Sequence, residues 1–504
     1  MADTGAGTHA TVGSGLNPSP ALLVGALGVF VVGLVARLVP LLRGGGLTGF
    51  NRYDDGVNFS GALGLVHGRL PYRDFLWLHP PGMQLALAPF AASSYLIGEP
   101  AAFVVARLGW IVVGSLTAVL VGRLLLPAGW FAGLFGGMLC ALFWPAVVST
   151  QTVRLEGVAS LLLVIALLLL TAEPPRGRVT TRAVVFAGAL LGFCATVKIW
   201  GVVTVLVLVA WLCVRDGLRR AALLLGSAVA ATIVICLPFF ILAPEAMWRM
   251  VVTDQIGRPR GVDTGHRLAQ ITGVSAIAPG WSLVLGLALG ALGLCTVLAW
   301  GLRRARPAVL LLLAFTVVLV ASPLWFFHYS GLSAPVLSIV CGAGLQRLAD
   351  LPPLRSRTGL RRGLIGAALA ALALPAAFAA INSEGQRFPA RDFGAALAGS
   401  QECVTADDPS ALILTDSVGR NIRRGCPLVI DLGGYSHDLG RTDEARRRAN
   451  DAFQALALSY LGSGDRAILT RFTTDDGWSK ATDRAIRRWP AVAQSGQQSV
   501  RVPR

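Results

Sequence analysis

The stretch YDDGVNFSGALGLVHGRLPYRDFLWLHPPG, Tyr53 to Gly82, sets three Asp, two Arg and two His among aromatics, between two strongly apolar regions. Asp54 and Asp55 are adjacent, so their side chains diverge unless the backbone bends, and Gly56 permits a bend. One carboxylate is suited to act as general base on a hydroxyl. The other is suited to orient an acceptor, hold a metal, or cap the helix starting near Val57. Capping alone accounts for one Asp but not for both. Asp74 has a plain structural alternative, pairing with Arg73 or capping a turn. His79 precedes two prolines and is confined to an extended backbone. It contacts phosphate or sits at the membrane interface. Tyr53 and Trp77 stack on a sugar or belong to the aromatic belt of a membrane protein.

Further along lie Arg154 and Glu156, in QTVRLEG, and Lys198, in CATVKIWG. Charge in or near hydrocarbon is costly and calls for a reason. For Lys198 the plain reason is an ammonium snorkelling to the surface. The functional one is a cation held where a lipid phosphate lies. Lysine is scarce here: Lys198 and Lys480 are the only two among 44 basic residues. A compact ammonium suits phosphate where arginine serves elsewhere. The segment GRPRGVDTGHR (257–267) adds Arg or His, Arg258 among them. Carboxylates beside cations at a lipid–water boundary fit a substrate with an anionic lipid leaving group and a hydroxyl acceptor.

Those residues need apolar elements to carry them. The chain has 504 residues, 54% hydrophobic and 14% charged, which points to a polytopic membrane protein. About eleven transmembrane helices are expected, at 21–42, 102–124, 129–150, 157–172, 183–197, 201–214, 221–242, 280–302, 307–327, 331–347 and 364–381. The formal charge of +17 sits in arginine clusters between these runs, at 173–182, 215–220, 303–307 and 354–362. The positive-inside rule makes those loops cytoplasmic and leaves no call for nucleic acid as a partner.

The opening stretch, 151–157, Lys198, 243–279, FFHYSG and everything after about 382 then face outward. The apolar segment 83–98 would reverse the later loops if it crossed alone, so it is expected to be a short surface or re-entrant helix, the alternative being a crossing paired with a second, unrecognised one. Residues 1–20 read as a flexible cytoplasmic tail, 21–381 as the membrane module with 43–101 as its first external loop, and 382–504 as a small external α/β domain. In that domain SALILTD and PLVIDLGG read as strands and 441–462 as a helix. Cys403 and Cys426 are placed to form a disulfide on an oxidising face.

With those residues in view, the first loop resembles that of the GT-C superfamily of glycosyltransferases that use polyprenyl-phosphate sugars. There an acidic motif follows the first span, then a helix with Arg and Tyr, then Pro-Pro. TVRLEG resembles the superfamily's second acidic site, and CATVKIWG its lysine facing the lipid phosphate. The resemblance covers about the first 350 residues. The superfamily often has Asp-Glu where this chain has Asp54-Asp55, which leaves open which carboxylate is catalytic.

The resemblance implies an inverting transfer in the plasma membrane to a glycan, glycolipid or protein acceptor. Asp54 or Asp55 takes the acceptor proton. Lys198 stabilises the departing phosphate, aided by His79 and Arg154 or Arg258. Glu156, with Tyr53, Asp74 and Arg73, positions the acceptor. A divalent metal, which Asp55 and Glu156 would hold, stays open, and no other cofactor is implied. The arginine-for-lysine, Ala/Gly/Val/Leu-rich composition resembles high-GC actinobacterial chains, which points to mannose or arabinofuranose as the sugar. Two other classes remain on the sequence alone: a transporter or flippase of an envelope lipid, and a non-catalytic envelope scaffold.

Overall fold

Apolar runs bounded by glycine, proline and arginine become helices throughout the first 371 residues. The structure, a computed structural model, describes residues 20–50, 53–172, 179–258, 261–277, 282–371, 374, 377–378, 381, 385–438, 447–474 and 477–503. Among the described residues four helices are long and apolar enough to cross a membrane: Pro20–Arg43, Glu99–Ala128, Leu218–Leu242 and Ser282–Trp300. Shorter apolar helices include Trp130–Leu142, Leu155–Thr171, Thr181–Val197, Arg306–Ala321 and Ala334–Ala349. Their outer faces stay exposed, as at Phe186, Val234, Leu283 and Val297, which suits lipid as solvent.

The apolar segment after the first loop is two short pieces, Gly82–Ala92 and Ser94–Ile97. Together they fall short of the roughly 20 residues that span a hydrocarbon core. The expected 129–150 helix breaks at Phe143, whose backbone is extended, and resumes as Trp144–Val148 with Pro145 in its first turn.

Residues from 385 on form a four-stranded sheet with helices, in the order β1 (Val404–Ala406), β2 (Arg466–Leu469), β4 (Gln498–Arg501), β3 (Ala491–Ser495). β1 and β2 run parallel; β2–β4 and β4–β3 are antiparallel. Two expected strands are absent. SALILTD is the helix Pro409–Leu414, because Pro409 stands at its first position and the Asp408 carboxylate accepts from Ser410 N at 2.8 Å. PLVIDLGG has no ladder partner and leads into a 3₁₀ turn, Gly433–His437. Of the expected 441–462 helix, Asp451–Leu461 is helical, started by Asn450, while 441–446 lie outside the described residues. Cys403 and Cys426 are bonded. A link across 23 residues is worth about 3 kcal/mol by loop entropy.

This tail is seated on the first loop. Phe50 and Gln386 form an antiparallel bridge, and Phe50 stacks on Phe388 with centroids 6.0 Å apart. Glu99 accepts backbone N–H bonds from Val418 at 3.0 Å and Gly419 at 2.5 Å. The helix Tyr53–Val66 meets the tail through glycine: a Cβ on Gly56 would lie 2.6 Å from the Ser410 nitrogen, and one on Gly64 3.1 Å from the Leu428 side chain.

Candidate active site

The helix Tyr53–Val66 is clamped by its second aspartate. Asp55 is fully buried; Arg107, from the helix Glu99–Leu125, donates to it from Nε at 2.8 Å and pairs with it through Nη2 at 2.6 Å, and Val153 N donates at 2.8 Å. Asn58 adds a bond to the Val153 carbonyl at 2.8 Å. Arg37, buried in the first helix, holds Thr150 at 2.7 Å and so fixes the start of the same loop. A buried ion pair with every oxygen bonded is a strong positional constraint. Its consequence is that the adjacent Asp54, with a side chain 44% exposed, faces an open cavity.

Two further segments reach that cavity. Arg154 and Glu156 stand at the start of Leu155–Thr171, where Trp110 donates to the Arg154 carbonyl at 2.8 Å. Lys198 ends Thr181–Val197 in an extended conformation, and the chain turns back into a helix at Gly201. Lys198 pairs with the fully buried Glu156. Its ammonium lies 3.8 Å from the ring centre of Tyr329 and 4.5 Å from that of Trp200, an aromatic cradle for a cation. His328 joins the groups: its Nε2 is 3.6 Å from Asp54 and 3.9 Å from Glu156. Arg154 is 3.9 Å from Asp54.

The cavity takes in about 690 Å³ of space between atoms, open solvent included. Asp54, Tyr53, Trp77, His79, Lys198, Arg258 and His328 line one part of it, and Asp431, Gly434, His437 and Arg447 of the tail line the rest. Tyr53 ties the two parts together. Its hydroxyl accepts from Gly433 N at 2.8 Å and bonds Asp431, whose carboxylate also accepts from Gly434 N at 2.7 Å.

Burial, helped by Lys198 and Arg258, holds His79 well below the usual imidazole range. Burial, with Arg258 and Arg447 beside it, pushes His437 down to about 3. Both rings are therefore neutral at neutral pH and act as hydrogen-bonding groups rather than cations. Burial raises Asp431 above the usual carboxylate range.

Of the residues singled out in the sequence, Asp54, Tyr53, His79, Lys198 and Arg258 line the cavity. Arg154 and Glu156 lie behind that lining, each touching a residue that does. Asp55 is enclosed with Arg107. Arg73 and Asp74 pair with each other at 2.8 Å at the surface, and Asp74 also accepts from Leu70 N at 2.7 Å. Among the described residues no group of three or more His, Cys, Asp or Glu is arranged to hold a metal ion. Asp55 and Glu156 are already matched by Arg107 and Lys198, so they do not fit a divalent ion.

His328, Tyr329, Asp431, His437 and Arg447 were missed. The first two carried a signal, a polar pair inside the aromatic FFHYSG on the expected outer side. Asp431 carried another, an acid before Gly-Gly after an apolar run.

Residues 77–323 match glycosyltransferase family 87. Among solved structures, ArnT from Cupriavidus metallidurans in the apo state superposes with a TM-score of 0.60 at 17% identity, over 95% of this chain and 98% of that one. The same protein bound to undecaprenyl phosphate gives 0.58 at 17%, over 96% and 98%. The archaeal oligosaccharyltransferase AglB from Archaeoglobus fulgidus, in complex with an inhibitory peptide and a dolichol-phosphate, gives 0.56 at 12%, over 89% and 69%. At these identities what is shared is the fold, and it bears out the resemblance to the GT-C superfamily drawn from the first loop. The comparison with curated protein sequences returned no significant match.

Proposed function

From a chain with the GT-C fold and a family 87 match over residues 77–323, we propose an inverting glycosyltransferase that takes a sugar from a polyprenyl phosphate to an acceptor hydroxyl. One observation carries the reading. Asp54, Glu156 and Lys198, from three distant segments, meet through His328 at one cavity wall.

In the transfer, the acceptor oxygen bonds to the anomeric carbon on the face opposite the phosphate. The Asp54 carboxylate takes the hydroxyl proton. The bond from that carbon to the phosphate oxygen breaks, and its electron pair leaves with the lipid phosphate. Lys198 and Arg258 balance the charge that builds on that phosphate, and the neutral His79 ring donates a hydrogen bond to it. Glu156 holds Lys198 in place, and His328 orients Asp54. Asp55 acts as a positioning residue, while Asp431, His437 and Arg447 face the sugar or acceptor hydroxyls.

The threading that suits this has eleven spans in the plasma membrane, a cytoplasmic N-terminus, and the residues after 382 on the outer side with the cavity. Mannose or arabinofuranose is the sugar, and an envelope glycan, glycolipid or protein the acceptor. The test is an assay on membranes enriched in the protein, with radiolabelled polyprenyl-phosphate mannose or arabinofuranose. Label should move from the lipid to a non-polyprenyl product. Intact labelled donor with both sugars, in the presence of an envelope extract as acceptor, refutes the proposal.

A further inference from the structure

At the far end of the bundle from Lys198 lies a second concavity, independent of the glycosyltransferase reading. The helix Gly201–Asp216 begins beside Lys198 and carries Arg215 in its last turn. Sixteen residues at 1.5 Å each put its two ends about 24 Å apart, close to the depth of a hydrocarbon core. Beside its last turns, against Ser282–Trp300 and Arg306–Ala321, is a groove of about 1310 Å³. Its wall is apolar, with Val207, Trp211, Trp300 and Leu310, and its rim is basic, with Arg215, Arg303 and Arg306.

The three guanidinium groups are not alike. Arg215 is matched by Asp216 at 2.6 Å and lies over Trp211, 4.3 Å from the ring centre. Among the described residues Arg306 donates only to the Trp300 carbonyl, at 3.0 Å, and Arg303 is exposed. Among the described residues neither Arg303 nor Arg306 has a carboxylate partner. Uncompensated cations at the mouth of an apolar, tryptophan-edged groove complement one chemistry: an anionic head on apolar chains.

We propose that this groove binds an anionic phospholipid of the leaflet opposite the active site, its phosphate on Arg303 and Arg306 and an acyl chain along Val207, Trp211 and Leu310. The experiment uses the full-length protein in detergent. Phosphatidylglycerol or phosphatidylcholine is titrated and bound lipid counted by native mass spectrometry, in the wild type, Arg303→Gln, Arg306→Gln and the double variant.

Arg219→Gln is the control: it removes an exposed arginine of the same basic surface that does not line the groove. Phosphatidylglycerol should outcompete phosphatidylcholine. Each groove variant should weaken its binding roughly fivefold, and Arg219→Gln should leave it unchanged. Equal loss in Arg219→Gln makes the effect one of general surface charge and overturns the site. So does wild-type affinity in the double variant, or displacement of phosphatidylglycerol by equimolar polyprenyl phosphate. Melting temperature and basal transfer activity, measured alongside, should stay at wild-type values; a fall in melting temperature in the groove variants alone moves the test to Arg303→Lys and Arg306→Lys, which keep the charge and should keep the lipid.

Discussion

Asp54→Asn and Asp55→Asn should fail in opposite ways. Asparagine matches aspartate in size, so each change removes a charge and little else. Asp54 is partly solvated, and its nearest basic side chains, His328 and Arg154, stand 3.6 and 3.9 Å away. Losing its charge costs the fold little. Losing a general base costs about 10²–10⁴ in rate, or roughly 3–5 kcal/mol of barrier. Asp55 is enclosed with Arg107, both side chains at 0% exposure. Removing its charge leaves a buried guanidinium without a counterion, which costs about 3–5 kcal/mol of stability. The assay is kcat on a synthetic polyprenyl-phosphate sugar, with thermal unfolding of the same samples. Asp54→Asn should melt like wild type and turn over at under about 1% of its rate. Asp55→Asn should melt lower and, in the fraction that folds, keep more activity. If Asp55→Asn melts like wild type and is the more inert of the two, the assignment of base and clamp is wrong.

Lys198→Met keeps the stem and removes the cation, so kcat/KM for the donor should fall by at least about 10²-fold. It also strands Glu156. Adding Glu156→Gln should restore the melting temperature without restoring transfer, and a double variant that recovers activity would show Lys198 to be merely structural. The third prediction concerns pH. Burial pushes Asp408 from 3.8 up to about 7. The folded protein therefore holds that proton more tightly than the unfolded chain does. The resulting stability is full below about pH 4 and is lost as pH rises through about 7, on the order of 4 kcal/mol in all. Melting curves from pH 4 to 8 should be flatter for Asp408→Asn than for wild type, and parallel curves refute the assignment.

Much of this was legible because a membrane makes sequence blunt. A charge at the end of an apolar run is conspicuous, so Asp54, Arg154, Glu156 and Lys198 could be picked out one by one. Separating Asp54 from Asp55 was beyond the sequence. The difference between them is Arg107, an arginine inside an apolar run whose burial demanded a carboxylate without saying which. The tail resisted for another reason. SALILTD holds four apolar residues in a row and fits a buried strand or a buried helix turn equally well, and Asp408 with Pro409 decided it. His437 and Arg447 have no motif of their own. They reach the cavity because Tyr53 and Gly56 let the tail press against a helix almost four hundred residues earlier.

That contact sets a schedule. Ribosomes add roughly 5–20 residues per second, so about 20–70 s separate the emergence of Gly56 from that of Ser410, its neighbour in the finished protein. Throughout that interval the helix bearing Asp54 has one bare flank, and half the wall around any sugar has yet to be made. On the proposed reading, a newborn chain is thus chemically idle while it is being threaded into the bilayer, and competence arrives late, when the final hundred residues close over Asp54.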